Sequence, residues 1–494
     1  MKQILKRLIS SIVFLAILFS CIAFVSDFLV ERQNGTFAQD YYRYGKDTFD
    51  VIFIGPSTTQ HGIQPMQLWE DQGIVSYNLG SAAQTIGEEY YLAKEAISRH
   101  HPKLIVADAG TIRSERKISS KEHLHMLADS MPFTSRTKWE MLLDLSGNDL
   151  LEFVFPLYMY HTRWKDIQKR DIAYDEKEQT MGANIYTGRN AGTQFIEKET
   201  DTSYELSGWS KYYTEKLIRL CRSTGTELLF ITTPTLYQGT TVTQSVYDGR
   251  KGAAFALSKL LAGYGVTHLD YFTRGDELGI DRDMDSIDGH HLNFWGARKF
   301  TAFLGNYISN RYNLTDHRSD PKYSPMEKAL EEYKGYRWGK MLRISWSLRL
   351  YFDLLSQSYE DNDYMVVMAM AGSPADTFSA SEAAMIMQSG TQQSLHHYGA
   401  NTYIAVLDGG EVLYESDVRS LAQEEEKKIT AGDITIEVMS SVPGQKSYIR
   451  INGEERASDS QGLQMVVLNK KTGQIEDTIL ISTDSENHQI AHMN

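Results

Sequence analysis

The feature that most constrains this chain is a rhythm between residues 47 and 312: short apolar runs stop at glycine or proline, and helical periodicity follows. Val51–Ile54 is the first run, and it stops at Gly55-Pro56-Ser57. Ile74-Val75-Ser76-Tyr77-Asn78-Leu79-Gly80 is the second, followed by the helical pattern EEYYLAKEAISRH. LIVADAG, after His101-Pro102-Lys103, is the third; ELLFITTP and VTHLDY follow the helical stretches YYTEKLIRLCRSTG and GAAFALSKLLAGYG. Apolar runs of this length alternating with helices specify a parallel, doubly wound sheet, here of five strands. Residues 111–204 interrupt the rhythm as an aromatic-rich insertion that reads as mostly helical. In such sheets ligands bind beyond the carboxyl ends of the strands. Ser57 is predicted to sit there, where the first strand turns into a helix.

A serine in that position is a nucleophile if a base reaches its hydroxyl, and the neighbouring N–H groups can face a developing oxyanion. Gly-x-Ser-Thr is more often a helix start, with the serine as N-cap, than a catalytic centre. The second dense cluster is Asp288-Gly289-His290-His291, leading into LNFWGARKF. An aspartate three residues before a histidine can hydrogen-bond the imidazole and leave its other nitrogen free to take a proton. Asp288 can also simply cap the following helix. Asp281, Asp283 and Asp285 alternate like a calcium loop, but Ser286 stands where the glycine is expected and Leu292 where the closing glutamate belongs, which argues against calcium. His123 and His125 lack a third metal partner and read as a solvated loop.

A formal net charge of −14 and a pI near 5.5 argue against nucleic acid as a partner. Two cysteines, Cys21 and Cys221, exclude a disulfide framework and a cysteine zinc site. Lys2, Lys6 and Arg7 precede an uncharged run from Leu8 to Ser26, long enough to cross a bilayer, with Asp27 and Glu31 beyond it. The reading is a cytoplasmic tail (1–7), a transmembrane helix (8–30), a stalk (31–46) and an extracellular body. Residues 313–350 look like a helical connector. From 351 to 494 apolar strands and Asp-Gly-Gly and Asn-Gly turns indicate hairpins, and hence a β-rich α+β domain.

GPST, NLG and DGHHLN, in this order, resemble the SGNH, or GDSL-like, hydrolase superfamily. The resemblance covers about residues 47–312 and implies a flavodoxin-like, three-layer α/β/α fold. It implies Ser57 as nucleophile, His291 as base and Asp288 as the acid that orients it, with the N–H groups of Ser57 and Gly80 as oxyanion hole. The branch it looks most like is that of membrane-anchored envelope acyl-transfer proteins, including the D-alanyl transfer proteins of teichoic acid synthesis. Pro56 replaces the aspartate of many first blocks. The third block, Gly-x-Asn-Asp in the family, is Gly110-Thr111-Ile112-Arg113 here, so an oxyanion-hole asparagine is missing. Ser146-Gly147-Asn148-Asp149 lies in a helical stretch and is a decoy. Thr111 and Arg113 are candidate substitutes. Asn78, and His161 and Arg163 in Tyr160-His161-Thr162-Arg163-Trp164, are candidate substrate contacts.

SYIRINGEERASDSQGLQMVVLNKKTGQIEDT and YMVVMAMAGSPADTFSASEAAMIMQSG resemble the interleukin-like EMT inducer domain, which also serves as the carbohydrate-binding stem of a protein O-mannose glycosyltransferase. Their order is reversed relative to that family, as in a circular permutation. Together the resemblances imply a membrane-anchored, extracytoplasmic serine esterase or O-acyltransferase acting on acyl esters of a cell-envelope polysaccharide. They also imply a membrane-bound O-acyltransferase as partner and no cofactor or metal. The alternative from another class is a catalytically degenerate core serving as a glycan-binding or assembly platform.

Overall fold

The structure is a computed structural model. It describes residues 2–29, 41–154, 157–165, 180–239, 242–345, 347–357, 364–371, 378–396, 402–417, 419–442, 447–457, 461–482, 488 and 490–493. The chain forms two compact units, Met1–Tyr333 and Lys334–Asn494.

The first unit begins with α1 (Lys2–Leu29), whose apolar side chains Ile4, Leu8, Phe14 and Phe24 are exposed. Within it Gln3–Ile22 is the one helical stretch among the described residues long and apolar enough to cross a membrane. Strands β1 (Val51–Ile54), β2 (Ser76–Asn78), β3 (Leu104–Asp108), β4 (Glu227–Thr232) and β5 (Thr267–Asp270) form a parallel sheet in the order β2-β1-β3-β4-β5. That is the flavodoxin-like doubly wound order, whose crevice opens beside β1 and β3. Register pairs Phe53 with Asn78 on one side and with Val106 on the other, which brings the ends of all three strands level.

Alternate strand residues divide the core between two helical layers. Val51, Phe53, Leu104, Val106, Leu229 and Ile231 pack with Leu68 of α3 (Pro65–Gln72) and Phe300, Leu304 and Ile308 of the last helix, Phe294–Arg311. On the other face α4 (Ile86–His100) meets β1 and Gly208–Thr224 meets β4, burying Ala93, Ile97, Leu217 and Ile218. A capping box of Thr85 and Glu88 starts α4.

The expected insertion is helical through α5 (Lys121–Ser130), α6 (Arg136–Leu145), α7 (Leu150–Val154) and α8 (Leu157–Tyr160), but residues 180–206 contain no helix. The rest of the insertion, 155–156 and 166–179, lies outside the described residues. Residues 180–193 are held instead by backbone bonds: Asn184 N–H to the Gln60 carbonyl, Phe294 N–H to that of Tyr186, and Asn190 N–H to that of Ser286. They line the two segments that carry Ser57 and His291. Beyond them come α9 (Gly208–Thr224), α10 (Gln244–Gly263) and α11 (Phe294–Arg311).

The second unit holds a curled sheet with the path β12-β11-β10-β6-β13-β14-β15, where β10 is Ile434–Ser441, β14 Ile475–Ser482 and β15 Ile490–His492, while β7, β8 and β9 (Glu424–Ala431) pair off it. The central strand β6 (Tyr364–Ala371) is wholly buried and pairs antiparallel with β13 (Gly462–Asn469) and β7 (Ile404–Asp408). Asp408-Gly409-Gly410 turns β7 into β8 (Glu411–Glu415), and Asn452-Gly453 turns β11 (Tyr448–Ile451) into β12 (Glu454–Glu455), so these hairpins are present. Met365, Val367, Val406, Ile436, Val438, Val466 and Leu468 form the core.

Candidate active site

The nucleophile turn is shaped by Gly55, whose φ of +153° suits a residue without Cβ. A Cβ there would stand 2.2 Å from Thr59 Oγ1 and 2.6 Å from Asp108 Cβ. Its N–H donates to Gln84 Oε1 at 2.9 Å. Pro56 fills the N-cap position of α2 (Ser57–Gly62) with no side-chain cap, so Ser57 is the first helical residue and its hydroxyl is not used for capping. Beneath it the wholly buried Asp108 accepts hydrogen bonds from Thr58 Oγ1 (2.7 Å), Thr59 Oγ1 (3.0 Å) and the Gly110 N–H (3.0 Å). Burial raises its pKa to about 6 against those bonds. Glu88 is pushed by burial to about 7, and Glu89, also buried, is raised as well.

At the other side of the crevice Asp288 receives the backbone N–H groups of His290 (2.9 Å) and His291 (2.8 Å) on Oδ1. Its Oδ2 lies 2.7 Å from His291 Nδ1. Burial opposes its ionisation, yet the His291 ring and the two N–H groups outweigh burial and hold the carboxyl well below the usual range. Facing a carboxylate, Nδ1 carries the proton, which leaves Nε2 as acceptor. Nε2 lies 2.7 Å from Ser57 Oγ, so the serine hydroxyl donates to it. The reading of Asp288 as a helix cap is overturned: Asn293 caps α11, accepting from the Trp295 and Gly296 N–H groups. The turn is fixed by Ser286, whose hydroxyl donates to the His291 carbonyl at 3.0 Å and accepts the Gly289 N–H at 2.8 Å.

Several expected contacts are redirected. The Gly80 N–H donates to Asn78 Oδ1 at 2.9 Å, which removes it from an oxyanion hole. Asn78 itself is fully buried and clamps the Thr59 and Ile63 carbonyls through Nδ2, so it braces α2 rather than meeting substrate. Thr111 Oγ1 donates to the Gln84 carbonyl at 2.5 Å. Arg163 donates to the Leu29 carbonyl at 3.0 Å, at the end of α1, and His161 is exposed on the turn after α8. The reading of His123 and His125 as a solvated loop is also overturned: both lie in α5, and His125 is buried, 3.0 Å from Asp129 and stacked on Phe153. Among the described residues no group of three or more His, Cys, Asp or Glu side chains could hold a metal ion.

Arg113 does reach the site. It lines a cavity with Thr58, Gly110, Thr233, Arg250 and His290. Arg250, on α10, was not singled out in the sequence; its Nη1 donates to His290 Nδ1 at 2.9 Å. His290 is thereby a neutral acceptor, and burial followed by the Arg250 charge holds its pKa well below 6.5. His61, with its ring 5.1 Å from that of His291 and 4.2 Å from that of Tyr186, walls the opposite side. Asp108 had one signal, an acid at the end of the apolar run LIVADAG; Arg250 had none, because its helix is distant in sequence from both clusters.

No family model and no curated protein matches the chain. Among solved structures it is similar to a GDSL-like lipase from Bacteroides thetaiotaomicron, at 10% identity over 56% of this chain and 98% of that one, with a TM-score of 0.28. It is similar to a Bacteroides fragilis protein described as an acylhydrolase, at 11% identity over 56% and 94% with a TM-score of 0.29. A Parabacteroides merdae protein described as a GDSL-like lipase follows, at 13% identity over 54% and 98% with a TM-score of 0.26. At these identities and scores the similarities do not by themselves place the chain in a family.

Proposed function

We propose that the first unit is a serine esterase or O-acyltransferase of the SGNH type, acting on acyl esters of a cell-envelope polysaccharide. The observation that carries the reading is the unbroken hydrogen-bond chain from Ser57 Oγ through His291 to Asp288. In the proposed reaction Ser57 Oγ attacks the acyl carbonyl while its proton passes to His291 Nε2. The ester C–O bond then breaks, the leaving alkoxide takes that proton, and an acyl-serine remains. Water or a sugar hydroxyl, deprotonated by His291, attacks the acyl-serine and restores the serine. Asp288 stabilises the imidazolium in both halves. The Ser57 N–H, in the uncapped first turn of α2, is the backbone donor for the oxyanion. With the third-block asparagine replaced and the Gly80 N–H engaged, this hole is poorer than the family pattern, which predicts slow turnover with either water or a sugar hydroxyl as acceptor.

In this reading α1 anchors the chain in a membrane with its body outside the cell, a membrane-bound O-acyltransferase supplies the acyl group, and the second unit engages glycan. The same shortage of oxyanion donors favours a second reading, a degenerate core acting as a glycan-binding platform. Labelling of the folded chain with a fluorophosphonate separates the two. Labelling of wild type but not of Ser57→Ala or His291→Ala supports the enzyme; an unlabelled, correctly folded wild type supports the platform.

A further inference from the structure

We infer that the guanidinium groups of Arg250 and Arg113 form an anion subsite beside the nucleophile, built to receive a carboxylate or phosphate group carried by the substrate. The inference deepens the proposed function, since it rests on Ser57 being the attacking group.

The two arginines line one cavity with Thr58 and His290, the residues adjacent in sequence to Ser57 and His291. The His290 ring that accepts from Arg250 lies 4.5 Å from the His291 ring, so an anion on Arg250 sits one ring away from the base. Arg250 is part-buried, and among the described residues its hydrogen bonds go to the His290 ring alone, which is neutral. No carboxylate stands at ion-pair distance from either arginine among the described residues. The acids nearest in effect are already committed: Asp108 to Thr58 and Thr59, Asp288 to His291. The arginines also sit against each other. A Cβ built on Gly249 would stand 2.7 Å from Arg113 Nη1, so the guanidinium of Arg113 rests on the backbone next to Arg250. Glycine in the interior of α10 weakens the helix, by about 1 kcal/mol relative to alanine. Here it makes room for the second cation. Burial, and then the charge of Arg113, lower the pKa of Arg250, outweighing the opposing pull of Asp108 and Asp288, neither of which is within ion-pair distance. A bound anion screens the repulsion and offsets the desolvation cost of the two cations, and two planar forks suit a carboxylate or phosphate. The net charge of −14 makes this local positive site stand out: it selects one anionic group at one place rather than drawing polyanions to the whole surface.

The anion has two sources, the acyl group or the alcohol that carries it, and substrates separate them. With the full chain in detergent, kcat/KM is measured for 4-nitrophenyl acetate, for mono-4-nitrophenyl succinate (anion on the acyl side) and for 4-acetoxybenzoate against phenyl acetate (anion on the alcohol side). Binding of inorganic phosphate and succinate to the Ser57→Ala protein is followed by calorimetry. The expected result is at least a tenfold preference for one anionic ester over its neutral counterpart. That preference should be lost in Arg113→Gln and in Arg250→Gln, alongside phosphate or succinate binding that the same substitutions abolish. Arg250 braces His290, so its variant can misfold; Arg113 is exposed, and its variant decides the matter. Esterolysis or fluorophosphonate labelling with no anionic preference and no anion binding overturns the subsite and leaves the esterase reading intact. Anion binding that depends on Arg113, in a chain whose serine never labels, keeps the subsite and overturns the esterase.

Discussion

At the scale of single residues the site combines an acid that is easy to ionise with one that is hard to ionise. Asp288, bonded by its own turn and by His291, stays a carboxylate, and Asp288→Asn presents the wrong tautomer to Ser57. Turnover of an activated ester by that variant is expected to drop on the order of 10^3–10^4-fold, with fold and KM little changed, as steady-state kinetics would show. Asp108 is the opposite case. Its carboxyl titrates near 3.8 when unfolded and about 6 in the folded chain, so the native state holds the extra proton between those values. Stability from this group is fully present below about pH 4 and is lost as pH rises through 6, a change on the order of 3 kcal/mol. Glu88, raised to about 7, acts with the same sign. His290, with its lowered pKa, acts with the opposite sign, so the difference between wild type and Asp108→Asn isolates the Asp108 contribution. In urea titrations at pH 4, 5.5 and 7 the wild type should lose stability relative to the variant as pH rises, and a constant difference would remove Asp108 from the account. The Asp288–His291 pair was legible because spacing within one short turn already fixes the acid against the ring, whereas the meeting of Ser57 with that pair was implied only by the resemblance that GPST and DGHHLN carry. Gly80 and Asn78 were misread for a physical reason. A glycine N–H after a strand is equally ready to bond the side chain two residues back, and sequence does not record which acceptor it meets.

At the scale of elements, the site is positioned by the ends of β1 and β3 and by the turn before α11. Gly55→Ala inserts a methyl between Thr59 and Asp108 at a backbone angle that alanine resists. The expected cost is about 3 kcal/mol or more, read as a lowered urea midpoint, with weaker fluorophosphonate labelling of whatever remains folded. The parallel sheet was legible because β1, β3 and β4 each carry a short apolar run, while the polar β2 (Ser76–Asn78) and half-buried β5 (Thr267–Asp270) were legible only from the alternation with helices. The insertion was not. The insertion read as mostly helical, yet residues 180–193 are irregular, because their backbone groups bond to Gln60, Ser286 and Phe294, about a hundred or more positions away. Arg250 escaped notice on similar grounds: nothing within α10 distinguishes it from a solvated helix arginine, and only the fold sets it against His290. In the second unit the glycine turns made hairpins legible, while the central place of β6 depends on pairings with β7, β10 and β13 that no local pattern encodes.

At the scale of the whole molecule, α1 leaves its apolar side chains exposed, and a lipid phase is the expected home for them. The full chain should enter the detergent phase on phase separation, whereas a chain beginning at residue 31 should stay aqueous; equal partitioning would count against an anchor. Within the second unit, Leu468→Ala opens a cavity in a fully buried layer and should cost about 2–5 kcal/mol of that unit's stability in calorimetry. The long separation of the two halves of the site has a further consequence. Ser57 and His291 lie 234 positions apart. A ribosome adding about 5–20 residues per second needs about 10–50 s to travel between them. Throughout that interval the serine is an ordinary alcohol on an unfinished chain. In the proposed reaction the serine gains its base only once the chain has passed His291, and a product truncated before that point lacks the base altogether.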